Sequence, residues 1–382
     1  MSSFIEDAGR WFLRSGIQEP GGGVARFYRP DSGRNAAVSN EITGYAVSAF
    51  VYLHSLTGES AYLDAASNAA RYLCRHAWDE ASSTFPFEPG SDRAYFFDTG
   101  IIVRGLAAAW RATGEDEFLA RAREAALSLA FDFMGDGVFH PIISLPEKQP
   151  LACEPRWSRN PGCYQLKSAL AWREVPEEGG AKLYESVLAY SLATHESFLT
   201  AEPDREKLMD RLHAYCYFLE GLLAVAERAE VRAALASGLA RAAALYREIA
   251  PASWESARTT EAGSAEPFRV PDGSEGRATL VRAFERSDVA AQLLRVRLIA
   301  HYLGAVALDE SAACEEASRA ASFQAAADHP DLRLRGGYFF GRKGGELLPF
   351  SNPVSTAFCL QALQLWQQHQ SGRWDFHLQQ LI

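Results

Sequence analysis

Along most of this chain apolar residues recur every three or four positions, the period of a helix, and period-two alternation is confined to short pieces. The protein is therefore predicted to be mostly α. Two kinds of helix take turns. One kind carries a charged face, at 60–78, 116–133, 182–199, 231–250 and 310–327. A helix with one polar face borders solvent, which assigns these to an outer layer. The other kind is apolar or small nearly all round: the helix that follows Glu41, then 97–114, 164–175, 213–227, 286–308 and 352–366. Helices of that composition are enclosed by protein.

The inner helices start near residues 41, 98, 164, 213, 286 and 354, and each interval holds one inner helix, one outer helix and a loop. This is a repeat of architecture, although the letters barely repeat. The last inner helix lacks an outer partner after it, while "FIEDAGRWFLRS" (4–15) is outer-type and lacks an inner partner before it. Pairing the two closes a ring of six helical hairpins. No Pro/Ser/Gly linker separates two cores, so a single domain over 1–382 is expected, with 251–285 and 328–352 as loops over one face. Glycine followed by aromatics in "GGGVARFY" (21–28), "DGVFHP" (136–141) and "RGGYFFGR" (335–342), and more weakly in "SSTFPFEP" (82–89), predicts short β-hairpins around one mouth of the ring.

Composition narrows the partners. With 382 residues, 48% of them hydrophobic, the chain can bury a sizeable core. A formal net charge of −10 without a long basic run removes the phosphate-neutralising surface that nucleic acid requires. The six cysteines show no CxxC spacing, which points to a reduced compartment and away from zinc. The first residues lack the basic and continuously apolar regions of a signal peptide, and no later stretch is apolar enough to span a bilayer. A cytoplasmic address is expected, with no membrane, metal or cofactor.

If the inner helices run parallel, their N-termini gather at one end of a funnel. Six starts then deliver polar groups to one cavity: Glu41 and Tyr45; Tyr95 and Asp98; Tyr164 and Lys167; His213, Tyr215, Tyr217 and Glu220; Arg286, Asp288 and Gln292; and Asn352. Helix N-termini add donors and positive potential, which suit carboxylates and developing oxyanions. Glu41, Asp98, His213, Glu220 and Asp288 are the candidate catalytic groups, and the others are candidate substrate contacts. Each also has a plainer reading. Asp98 and Asp288 suit the first turn of a helix, Asn352 before Pro353 is an N-cap, and His213 suits a core histidine bonded to a carboxylate. Glu41 is harder to explain that way, because Ser39 or Asn40 can already cap. Glu220, without a cation nearby in sequence, needs a distant partner or a raised pKa. His195 and Glu196 are expected at the surface, and His140 and Trp157 on loops that reach over the mouth.

The six-hairpin pattern resembles the (α/α)6 toroids, which include unsaturated glucuronyl hydrolases, sugar 2-epimerases and toroidal polysaccharide lyases. The resemblance covers essentially the whole chain and rests on the inner-helix starts. It implies a carbohydrate-active enzyme working on an oligosaccharide or uronate-containing glycan, with acid–base glycoside hydrolysis the leading expectation. In the glucuronyl hydrolases an inner-helix Asp donates the proton, and Asp98 in "FFDTG" is the nearest match. Proton abstraction, as in the lyases and epimerases, would instead use His213 or Tyr215, with Arg286 and Asn352 neutralising an enolate. The epimerases resemble one another in a pair of facing histidines, of which this chain has one. A non-catalytic glycan-binding toroid is the third reading. The terpenoid-cyclase toroids are a weaker match, since the chain lacks DxDD and DDxxD motifs.

Overall fold

The computed structural model of the chain describes residues 3–176, 179–200, 202–250 and 283–382. Helix α1 (Ser3–Arg14) turns Ile5, Ala8, Trp11 and Phe12 inward and leaves Glu6 and Arg10 in solvent. Helix α2 (Asn40–Thr57) is of the enclosed kind. Ser39 caps it by accepting from the Ile42 N–H, and Gly58, at φ 71°, ends it in the left-handed region. The alternation then continues through α3 (Ser60–Tyr72), α4 (Phe96–Thr113), α5 (Asp116–Phe131), α6 (Gln165–Ala169) and α7 (Ala171–Glu174), α8 (Gly180–Phe198), α9 (Arg205–Leu222), α10 (Ala229–Ile249), α11 (Ser287–Tyr302), α12 (Glu310–Ala321) and α13 (Pro353–Gln370).

Packing sets the ring. Going round the inside, α2 contacts α4, α4 contacts α6, α6 contacts α9, α9 contacts α11, α11 contacts α13, and α13 returns to α2; α1 lies against α13 and completes the sixth hairpin. Small residues draw the inner helices together. A Cβ on Gly105 would sit 2.4 Å from the Gly44 carbonyl oxygen, and one on Gly100 would sit 2.4 Å from Ser168 Cβ. The architecture is the (α/α)6 toroid expected from the hydrophobic pattern.

Three details differ from the sequence reading. Helix α9 begins at Arg205 rather than at 213, capped by Asp204, which accepts from the Glu206 and Lys207 N–H groups. Its first turns are charged, so the apolar pattern starts late. The third inner helix is interrupted at Leu170, whose N–H bonds to both the Lys167 and Ser168 carbonyls. The strands, finally, are not all local hairpins. β1 (Tyr28–Arg29) pairs with β2 (Arg34–Asn35), but β3 (Arg93–Tyr95) pairs with the distant β4 (Ile142–Ser144), and β5 (Phe284–Arg286) with β6 (Gly341–Lys343), itself paired with β7 (Glu346–Leu347). These antiparallel pairs tie neighbouring helix entrances together, since β3 runs into α4 and β5 into α11. Most of the segment expected as a loop at 251–285 lies outside the described residues. No described helix is long and apolar enough to cross a membrane.

Candidate active site

At the N-terminal mouth of the inner helices lies a cavity of about 250 Å³. Its first wall comes from α2 and α4. The Gly44–Gly105 contact brings these helices close, and the first turn of each then delivers an acid, Glu41 from α2 and Asp98 from α4, to the same space. Burial raises the Glu41 pKa to about 7, against the opposing pull of Arg26 and Lys167. Asp98 is raised well above the ordinary carboxylate range, first by burial and then by the Glu41 charge. Its Oδ2 is buried without a hydrogen-bond partner among the described residues. Two carboxyls that disfavour each other's ionisation hold a proton at neutral pH and titrate as a pair.

The facing wall comes from α9 and α11. Asp210, His213 and Tyr217 follow one another at three and four residues along α9, so they share a face, and all three line the cavity. His213 Nδ1 lies 2.7 Å from Gln292 Oε1 and 3.8 Å from Asp288 Oδ2. An amide oxygen and a carboxylate both accept, so Nδ1 carries the proton and Nε2 holds the lone pair. Burial, with help from Arg286, lowers the His213 pKa to about 4, against Asp288 and Asp210. The ring is therefore neutral at pH 7. Arg286, the last residue of β5, is clamped by Asp288 through Nε (3.0 Å) and Nη2 (2.7 Å), and by Asp210 Oδ1 through Nη1 (2.8 Å). Such a forked pair fixes the guanidinium plane at the cavity edge.

Aromatic rings complete the lining: Tyr95, Phe97, Tyr164 and Tyr217 from the helix entrances, Phe87 and Trp157 from loops. The Arg156 guanidinium also reaches the cavity and makes no hydrogen bond or ion pair with a described residue.

Of the fourteen residues singled out from sequence, the cavity thus gathers Glu41, Asp98, His213, Tyr95, Tyr164, Tyr217 and Arg286. Asp288 and Gln292 stand behind it, holding Arg286 and His213. Glu220 lies seven residues beyond His213 on α9, about 10 Å deeper. It is fully buried in a cluster with Lys167, 2.5 Å away, and Arg295. Burial alone would raise its pKa, but Arg295 and Lys167 outweigh this and hold it below the usual carboxylate range, so it does not have the raised pKa expected of an unpaired acid. Lys167 is lowered to about 7 by burial, with Arg295 and Arg104 adding to the effect against Glu220. Tyr45 is buried in the same layer, edge-on to Phe358, with Lys167 Nζ 5.4 Å from its ring centre. Asn352 is the α13 N-cap and accepts from the Ser355 N–H. Tyr215 turns away from the cavity towards the outer layer, where its hydroxyl lies 3.0 Å from His195 Nδ1. His195 is accordingly buried, contrary to the surface position expected of it.

Sequence reasoning missed Asp210, Arg156, Ser158, Phe87, Phe97 and Pro141. Asp210 was within reach: had α9 been started at the Asp204 cap, its i, i+3, i+7 relation to His213 and Tyr217 would have been visible. The loop residues carry no comparable periodic signal. Among the described residues no group of three or more His, Cys, Asp or Glu side chains is arranged to hold a metal ion.

No family model and no curated protein matches the chain. Its fold is similar to that of cellobiose 2-epimerase from Spirochaeta thermophila DSM 6192, at a TM-score of 0.67 and 16% identity over 96% of this chain and 95% of that one. It is similar to D-mannose isomerase at 0.66 and 11%, over 96% and 97%. An unsaturated glucuronyl hydrolase specific for heparin gives 0.61 and 12%, over 96% and 97%. At such identities the likeness shows the fold, an (α/α)6 toroid shared with carbohydrate-processing enzymes, and not the reaction.

Proposed function

We propose that the protein is a sugar epimerase or isomerase that moves a proton at the carbon next to the carbonyl of a reducing sugar. The observation that carries this reading is the placement of proton-handling groups on opposite walls. Helices α2 and α9 stand three steps apart in a ring of six, so the acid pair Glu41/Asp98 faces the neutral His213 across the cavity. His213 Nε2 would take the proton from carbon, and Asp288, 3.8 Å from Nδ1, would stabilise the imidazolium that forms. A pKa of about 4 keeps the ring unprotonated but makes it a weak base, so the nearby carboxylate contributes directly to the driving force. The protonated acid pair would return a proton from the other face, or protonate the carbonyl oxygen, while Arg286 offsets the developing enolate charge. A cavity of about 250 Å³ suits one or two sugar units, and its aromatic lining suits their apolar faces. Arg156 at the edge, without a side-chain partner among the described residues, would meet an acceptor or anionic substituent. The neighbours named cellobiose 2-epimerase and D-mannose isomerase have the same fold, which agrees with this reading.

Inverting glycoside hydrolysis is the second reading, favoured by the raised Glu41/Asp98 pair as proton donor. It also needs a carboxylate free to activate water. The other acidic side chain among the described lining residues is Asp210, both of whose oxygens are engaged. Incubation of reducing mono- and disaccharides in deuterium oxide, read by mass spectrometry, separates the two. Deuterium gained at constant chain length is the expected result. Chain scission with gain of water would replace the proposal by hydrolysis.

A further inference from the structure

The loop that brings Arg156, Trp157 and Ser158 to the cavity is built differently from the other walls. Its residues 152–156 are exposed, and its internal bonds include those from Asn160 Nδ2 to the Glu154 and Arg156 carbonyls and from the Arg159 and Asn160 N–H groups to the Arg156 and Trp157 carbonyls. Among the described residues, segment 152–159 has one hydrogen bond to the helix ring, from Trp157 Nε1 to Asp210 Oδ2 at 2.6 Å. The other Asp210 oxygen accepts from Arg286 Nη1 at 2.8 Å. Asp210 therefore bridges the wall formed by this exposed loop, at Trp157, to the Arg286–Asp288 clamp. The indole also sits edge-on to Tyr164, with ring centres 4.9 Å apart, so the bond settles where an already packed ring comes to rest.

We propose that Asp210 is a positioning residue that latches segment 152–159 across the cavity mouth, so that Trp157 serves as a wall of the sugar site while the carboxylate joins it to Arg286. Two donors converge on two acceptor oxygens, a demand an amide cannot meet because one of its ends is itself a donor. Release of the single indole bond opens the mouth without disturbing the helices, and its closure sets Trp157, Arg156 and Ser158 against the bound sugar. That a sugar occupies the cavity rests on the proposed function; the latch itself does not.

The test is hydrogen exchange of the full chain read by mass spectrometry, on the parent, Trp157→Phe, Asp210→Asn and the double variant. Phenylalanine keeps the ring against Tyr164 and loses only the donor. Trp157→Phe is expected to speed exchange of the 156–160 amides about tenfold, the worth of one hydrogen bond to a charged partner, with α11 and α13 unchanged. Asp210→Asn is expected to do the same and the double variant no more. Unaltered loop exchange in Trp157→Phe, or additive loosening in the double variant, would overturn the latch. On a sugar that the parent turns over, Trp157→Phe should raise KM about tenfold and hold kcat within about twofold. A fall in kcat at constant KM would instead assign Trp157 to the chemical step. If no sugar is turned over, the functional reading fails while the exchange result still decides the latch.

Discussion

At the scale of single residues, the site is a contrast of two burial effects with opposite sign. Low dielectric disfavours charge, so it raises Glu41 and Asp98 and lowers His213, leaving acid and base both neutral at once. On the proposed mechanism the competent form needs His213 unprotonated, which holds above about pH 4, and Glu41 protonated, which holds below about pH 7. The expected profile of kcat/KM is a bell whose acid limb belongs to His213 and whose alkaline limb belongs to the Glu41/Asp98 pair. His213→Asn removes the titrating base; the remaining turnover should fall by about 10²- to 10⁴-fold and show no limb near pH 4. An acid limb that survives in His213→Asn would take the base assignment away from this residue.

At the scale of elements, the pairing of the two acids is a consequence of glycine. Gly44 and Gly105 let α2 and α4 approach until a Cβ on residue 105 would lie 2.4 Å from a backbone oxygen, which cannot yield as a flexible side chain can. Gly105→Ala should destabilise the fold by about 1–3 kcal/mol through overpacking. By parting the helices it should also lessen the influence of Glu41 on Asp98 and shift the alkaline limb. Urea denaturation and the pH profile measure the two effects, and an unchanged midpoint would mean that the helices yield without cost. The same elements show what the chain made legible. The alternation of charged-face and enclosed helices disclosed six hairpins, because burial on one side or all round writes a periodic signature. Glu41, Asp98 and His213 were found because each is a polar residue in an enclosed helix. Register within an element was less visible: the charged opening of α9 hid eight residues and Asp210 with them, and nothing in the local sequence told Tyr215, facing His195, from Tyr217, facing the cavity. Trp157 was anticipated as a loop residue over the mouth, but Arg156 beside it was not, because the path of their loop depends on a contact 53 residues away.

At the scale of the whole molecule, a ring of six hairpins leaves an axis to be filled, and its two ends are filled differently. The N-terminal end holds the cavity. Deeper in, the axis is occupied by Lys167, Glu220 and Arg295, polar groups whose burial is costly unless each is satisfied. Segment 378–382 supplies further acceptors. The Ile382 backbone oxygen accepts from Lys167 Nζ at 2.8 Å and Arg295 Nη1 at 3.2 Å, and the Leu381 carbonyl oxygen accepts from Arg104 Nη2 at 2.7 Å. Gln361 holds the segment in place, donating to the Gln380 carbonyl oxygen at 2.7 Å and accepting from the Ile382 N–H at 3.2 Å. The side chains of Leu381 and Ile382 are buried in the same core. Removal of Leu381 and Ile382 would strip acceptors from three buried cations and open an apolar gap. Since each orphaned donor costs roughly 1–3 kcal/mol, the urea midpoint should fall by an amount equivalent to several kcal/mol. The loss should be larger at pH 6 than at pH 8, because Lys167, with a pKa lowered to about 7, is charged at the first and largely neutral at the second. Equal losses at both values would show that Lys167 does not titrate in this range, and no loss at all would show that the axis closes without the segment.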